Sequence, residues 1–154
     1  MITNVVYTYM EALDLAKNTV VGLLKAGNKA EEHLGNTIKP HGISLQQFNV
    51  LRILRGRKGS AANLKTVQKR MIHKMSNTTR IIDKLIDKKL VRRKICDDNR
   101  RKIEIFITEQ GLETLTKLDT EIQNTEAAVL QPLSLEDQKN LRSLLNKITL
   151  NHKS

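Results

Sequence analysis

The sequence predicts a mainly α fold with a small β-hairpin wing: a winged helix-turn-helix domain flanked by N- and C-terminal dimerisation helices. Three observations carry this expectation. Apolar residues recur at helical spacing over most of the 154 residues. One short stretch, residues 91–107, switches to period-two alternation. Positive charge is concentrated in the middle of the chain, where residues 44–111 hold 18 Lys+Arg against 6 Asp+Glu, a net +12, whereas residues 1–43 and 112–154 carry 0 and −1.

The first segment places Val5, Tyr9, Ala12, Leu13, Ala16, Val20, Leu23 and Leu24 three and four residues apart, which predicts a long amphipathic helix over about residues 4–33. Gly35 and the cluster Lys39-Pro40-His41-Gly42 are expected to break it. Ser44 with Gln47 three residues on has the pattern of a capping box, and Leu45, Phe48, Val50, Leu51 and Leu54 form the buried face of the short helix it opens. Residues 56–59 read as a basic turn. Asn63 caps a second short helix with Leu64, Val67 and Met71 inward, and a tight break at Ile72, His73 and Lys74 leads to a third helix over about residues 75–89. Thr78, Ile81, Ile82 and Leu85 make its inner face, so Ser76 and Arg80 point outward, with Asn77 and Lys84 at the flank. Two helices, a tight turn and a polar outer face on the second helix form a helix-turn-helix, whose second helix enters the major groove of DNA.

Residues 91–95 and 102–107 alternate branched and charged side chains, and the linker 96–101 is polar and turn-forming, as in a hairpin with one packed face. Thr108 then caps a long helix carrying Leu112, Leu115, Leu118, Ile122, Val129 and Leu130, which Pro132 stops. Ser134, followed by Glu136 and Asp137, opens the last helix, striped by Leu141, Leu144, Leu145 and Ile148. The near-neutral helices at the two ends have little of their own to pack on, and the simplest cover for their stripes is a second copy of the chain. The expected organisation is an N-terminal dimerisation helix and connector (1–43), a winged DNA-binding domain (44–111) and C-terminal dimerisation helices (112–154).

Composition narrows the function. With 39% hydrophobic residues the chain can fold around its own core, but only 3% are aromatic and Trp is absent, which disfavours single-strand binders that stack bases on aromatic rings. A single cysteine, Cys96, excludes an intramolecular disulfide and suits a reducing cytoplasm. No apolar run approaches the ~18 residues of a spanning helix, and the N-terminus lacks a basic n-region and cleavage site, so a cytoplasmic protein without a membrane partner is expected. Enzymatic constellations are missing. Gly56-Arg57-Lys58-Gly59-Ser60 lacks phosphate-loop spacing, and His33, His41, His73 and His152 are scattered away from metal-ligand spacings. Neither a metal nor a cofactor is expected. Cys96, beside the basic residues 92–94, reads as a spectator thiol in preference to an oxidation switch.

The stretches Ser44-Leu45-Gln46-Gln47-Phe48, Ser76-Asn77-Thr78-Thr79-Arg80, Ile81-Ile82-Asp83-Lys84-Leu85, Leu90-Val91-Arg92-Arg93, Asp97-Asp98-Asn99-Arg100-Arg101 and Ile107-Thr108-Glu109-Gln110-Gly111 occur in an order that resembles the MarR family of winged helix-turn-helix regulators. The resemblance spans about residues 44–115. It implies a homodimeric, DNA-binding transcriptional regulator, usually a repressor, that often releases DNA when a small molecule binds between the dimerisation helices and the winged domain. Two departures stand out. Asn99 replaces the wing carboxylate that would orient Arg101, unless Asp97 or Asp98 takes over, and Ile72 occupies the helix-turn-helix turn where a small residue is common.

Candidate DNA contacts are Ser76, Asn77, Thr79, Arg80 and Lys84 of the recognition helix and Arg100 and Arg101 of the wing. Short polar chains and Arg80 near the helix N-terminus can reach base edges, although Ser76 reads first as an N-cap. Arg100, at the wing tip, suits the minor groove. Arg101 serves equally as brace or contact, and Arg92, Arg93, Lys94 and Lys102 as phosphate ligands or solvated charge. Two heads per dimer imply a pseudo-palindromic duplex with half-sites ~34–36 Å apart. Tyr7, Tyr9, His41 and Phe48 are as well explained by packing as by an effector pocket. The rival expectations are an architectural DNA binder without base readout and a protein-docking adaptor.

Overall fold

The computed structural model describes residues 2–74, 77–96 and 99–150, with side chains for residues 10–74, 77–96 and 103–150. The order is α1 (Ile2–Ile38), a 3₁₀ turn (Lys39–His41), α2 (Leu45–Arg55), α3 (Leu64–Arg70), α4 (Thr78–Asp87), β1 (Val91–Cys96), β2 (Asn99–Ile107), α5 (Glu109–Leu130) and α6 (Leu135–Leu150). No helix is long and apolar enough to cross a membrane among these residues.

Most boundaries follow from local chemistry. Ser44 and Gln47 form the reciprocal capping box at the start of α2. Asn63 and Thr108 cap α3 and α5 through their side-chain oxygens. Helix α1 instead runs straight through Gly35, where a break is expected. A helical glycine costs about 1 kcal/mol relative to Ala, and packing of Leu34 and Ile38 on the core, on either side of it, offsets that cost. The helix ends where Pro40 enters the 3₁₀ turn and Gly42 adopts φ 74°, a left-handed conformation that a Cβ disfavours.

Helix α4 is shorter than the periodicity suggests. Its C-terminus closes in a Schellman turn: the Leu90 amide donates to the Leu85 carbonyl at 2.9 Å and the Lys89 amide to Ile86 at 2.8 Å, with Lys89 at φ 59°. The wing strands extend further toward each other than expected. Val91 faces Ile107, Ile95 faces Ile103, and after a register shift Cys96 faces Asn99, which makes Cys96 the last residue of β1, at the tip end of the hairpin. Ala62 bridges the outer edge of β2 by exchanging two backbone hydrogen bonds with Ile105, at 3.0 and 2.7 Å.

One core unites these elements. Phe48, Leu51 and Leu54 of α2, Val67 of α3, Ile82 and Leu85 of α4, and Val91 and Ile105 of the wing pack with Ile38 of α1 and with Leu115, Leu118 and Ile122 of α5. The first half of α5 and the end of α1 thus belong to the same packing unit as the winged domain. Among the described side chains, the middle of α1 and the length of α6 leave apolar residues such as Leu13, Leu24 and Leu144 in solvent.

Candidate nucleic-acid interface

The outward face of α4 is defined by what it buries. Thr78, Ile82 and Leu85 are buried, which turns Thr79, Arg80 and Lys84 outward, all exposed. Asn77 supplies the cap expected of Ser76: its Oδ1 accepts from the Arg80 amide at 3.1 Å. Ser76 lies outside the described residues. Ser76 and Asn77 are both good capping residue types, so periodicity alone could not decide which of them begins the helix.

Asn77, Arg80 and Lys84 gather along one edge of α4. Together with Ser44 and Gln46 at the start of α2 they border an open depression of about 440 Å³. Two cations four residues apart repel one another slightly on an isolated helix, so the arrangement favours an anion between or above them. Thr79 faces the other way, toward the wing, where Leu64, Ile82 and Ile103 line a smaller apolar notch of about 80 Å³. The exposed surface of α4 therefore offers a cationic flank beside α2 and a hydroxyl beside the wing.

The wing is braced against α4 by a pair that residue spacing did not reveal. Arg93 Nη1 donates to Asp83 Oδ1 at 3.3 Å, so Arg93 links the hairpin to α4, where phosphate contact or solvation was expected of it. Arg92 lies over the Phe106 ring at 4.3 Å from its centroid, which orients a second guanidinium along the opposite face of the wing. Arg100 and Arg101 belong to β2 by their backbone, and their side chains, like Asp97 and Asp98, lie outside the described residues. Lys65, Lys69 and Arg70 add exposed positive charge on α3, beside the helix-turn-helix turn.

Other features of the sequence resolve as structural. Residues 56–59 form the expected turn, with the Arg57, Lys58 and Ser60 amides bonded to the Leu54, Arg55 and Arg57 carbonyls and so not aimed at a phosphate. His41 pairs with Glu121 at 3.2 Å and His73 with Glu31 at 2.7 Å, each tying the winged domain or its connector to a flanking helix. Phe48 is buried core, and the side chains of Tyr7 and Tyr9 lie outside the described residues. Ile72 is 71% exposed, so the bulky residue in the turn points to solvent. Among the described residues no three His, Cys, Asp or Glu side chains converge on a metal-sized site.

Comparison with known proteins agrees with this arrangement. Residues 43–103 match the model of the MarR family. The HTH-type transcriptional regulator PecS of Dickeya dadantii (strain 3937) is 26% identical over 140 residues, covering 88% of this chain and 83% of the relative. A putative MarR-like transcription regulator from Bacillus cereus ATCC 10987 superposes with a TM-score of 0.79 at 19% identity, over 90% of this chain and 98% of that one. A mutant MarR from E. coli, complexed with operator DNA, superposes with a TM-score of 0.75 at 20% identity, over 82% and 89% of the two chains.

Proposed function

We propose that this chain, which belongs to the MarR family of DNA-binding transcriptional regulators, works in the cytoplasm as a homodimeric repressor of a pseudo-palindromic duplex site. The observation that carries the reading is the sidedness of α4: its apolar residues are buried in the head, and Asn77, Thr79, Arg80 and Lys84 are left to the outside. A helix so mounted can lie in a major groove, with Arg80 able to bridge guanine O6 and N7. Arg100 of the wing takes the adjacent minor groove, with Arg101 beside it as brace or contact, and Lys65, Lys69 and Arg70 take phosphates. The fold neighbour from E. coli that is complexed with operator DNA supports DNA as the partner.

The second copy is supported by the flanking helices, whose exposed leucines and valines are neutral ground beside a +12 head. Repression follows from occupancy, since a dimer covering two half-sites excludes polymerase from an overlapping promoter. Release by a small molecule rests on the family resemblance, and its site is assigned to the region between the arms and the head.

The deciding experiment is selection of bound duplexes from a random library, followed by titration of the selected and a scrambled duplex at several salt concentrations. The regulator keeps an affinity ratio of about 10³ or more. A ratio near one with a steep salt slope would identify an architectural protein and overturn the proposal.

A further inference from the structure

The winged head is joined to helix α5 by more than apolar packing. Arg55 Nη1 and Nη2 donate to Asp119 Oδ2 and Oδ1, both at 2.8 Å, a planar two-bond fork between α2 and α5. Seven residues further along α5, Glu126 meets Arg52 at 3.5 Å, and Arg52 also lies 5.6 Å from the centroid of Phe48. Two positions about 10 Å apart on α5 are thus tied to Arg55 and Arg52, which lie within one turn of α2.

The apolar contacts beneath, Leu51 and Leu54 against Leu115, Leu118 and Ile122, cannot do this alone. Hydrophobic burial is non-directional and tolerates sliding of one helix along another. A bidentate guanidinium–carboxylate pair is directional and fixes both register and angle. The Arg55 side chain is 35% exposed and that of Asp119 38%, so the fork sits at the rim of the contact, where leverage over the angle is greatest.

We infer that the Arg55–Asp119 fork is a positioning device that fixes how each reading head is carried on its dimerisation arm, and that it thereby sets the half-site spacing the dimer prefers. The inference rests on the dimeric DNA-reading function proposed above. Neither residue lies on the outward face of α4 or on the wing, so neither contacts DNA in that mode. A small tilt at the α2–α5 contact is carried through the head to α4. One base pair of spacing is only about 3.4 Å of rise, small against a head separation of ~34–36 Å.

The test uses the full-length protein with four duplexes: the site selected by the wild type, the same half-sites one base pair closer and one base pair further apart, and a single half-site. Arg55→Lys, which keeps the charge but loses the fork, and Asp119→Asn are each expected to lower the ratio of preferred to shifted spacing about fivefold, the effect of losing one good ion pair. Half-site affinity and dimer mass stay unchanged. The double variant Arg55→Met with Asp119→Leu fills the same volume without charge and carries the same expectation should a single variant fail to fold. An unchanged spacing ratio, or a fall no larger than the fall in half-site affinity, overturns the inference alone. A wild type that shows no preference for paired half-sites overturns the dimeric reading itself, and the inference with it.

Discussion

Gly111 sits where β2 has just turned into α5, and a Cβ placed there would lie 2.3 Å from the Leu90 carbonyl oxygen and 2.8 Å from Ile107 Cγ1. The first of these is backbone held by the Thr108 amide at 3.1 Å, so it cannot swing away as a flexible side chain would. Gly111→Ala is therefore expected to destabilise the fold by about 1–3 kcal/mol, read as a shift in urea midpoint. Unaltered stability would show that the wing and arm are less closely packed than described. The residues of α4 divide differently. Arg80→Ala removes an exposed side chain and is expected to leave the melting temperature unchanged while losing ~1–3 kcal/mol of discrimination at one base position. Asn77→Ala loses the cap and about 1 kcal/mol of stability, so its effect on DNA binding combines two causes. Sequence pattern placed Asn77 at the flank of the helix and assigned the cap to Ser76, because a period of 3.6 locates the face of a helix more sharply than its first residue.

At the scale of elements, the caps at Ser44, Asn63, Thr108 and Ser134 were legible because each is a local bond between residues three apart. The Arg55–Asp119 fork was not, since its partners stand 64 residues apart and both look like ordinary surface charges in their own helices. The same is true of Arg93 and Asp83, which meet only because the hairpin folds back over α4. Gly35 misled for a related reason: the local cost of glycine is small beside the tertiary burial of Ile38, which no window of sequence reveals. The fork also has a pH signature. The hydrogen bond from Arg55, aided by the charges of Arg55 and Arg52 and opposed by partial burial, holds the Asp119 carboxyl below its ordinary value of 3.8. A carboxylate with a depressed folded-state pKa stabilises the fold fully above the unfolded value, and this contribution fades as pH falls through the folded one. Urea midpoints of the wild type and Asp119→Asn should differ by a constant amount above about pH 5, and the difference should shrink on further acidification. A difference that persists unchanged to the lowest pH would mean that the ionised fork is not what stabilises this contact.

At the scale of the whole molecule, charge and apolar surface are segregated. The head carries the +12 and shares one core with the end of α1 and the first half of α5, while α1 and α6 expose Leu13 (53%), Leu24 (62%) and Leu144 (56%). Leu13 and Leu24 are eleven residues apart, which returns to nearly the same side of a helix, so they belong to one stripe and not to scattered surface positions. That segregation was visible before any coordinates, because it depends only on which residues are near one another in sequence. A leucine stripe of this length in water calls for a partner, and the arms' near-neutral charge lets two copies approach where the heads would repel. Introducing lysines at Leu13 and Leu24 places like charges in the contact without touching the buried residues of the head. Leu13→Lys with Leu24→Lys is expected to sediment as a single 17.5 kDa chain and to bind a paired site no more tightly than a single half-site. The slope of affinity against salt should also fall to about half, since one head neutralises half the phosphates. The head of that variant should keep its fold, with the urea transition of Leu51, Leu85 and Leu115 still cooperative, because all three are buried away from the substituted stripe. A variant that still sediments as a dimer and still favours paired half-sites would show that α1 is not the arm through which the copies meet.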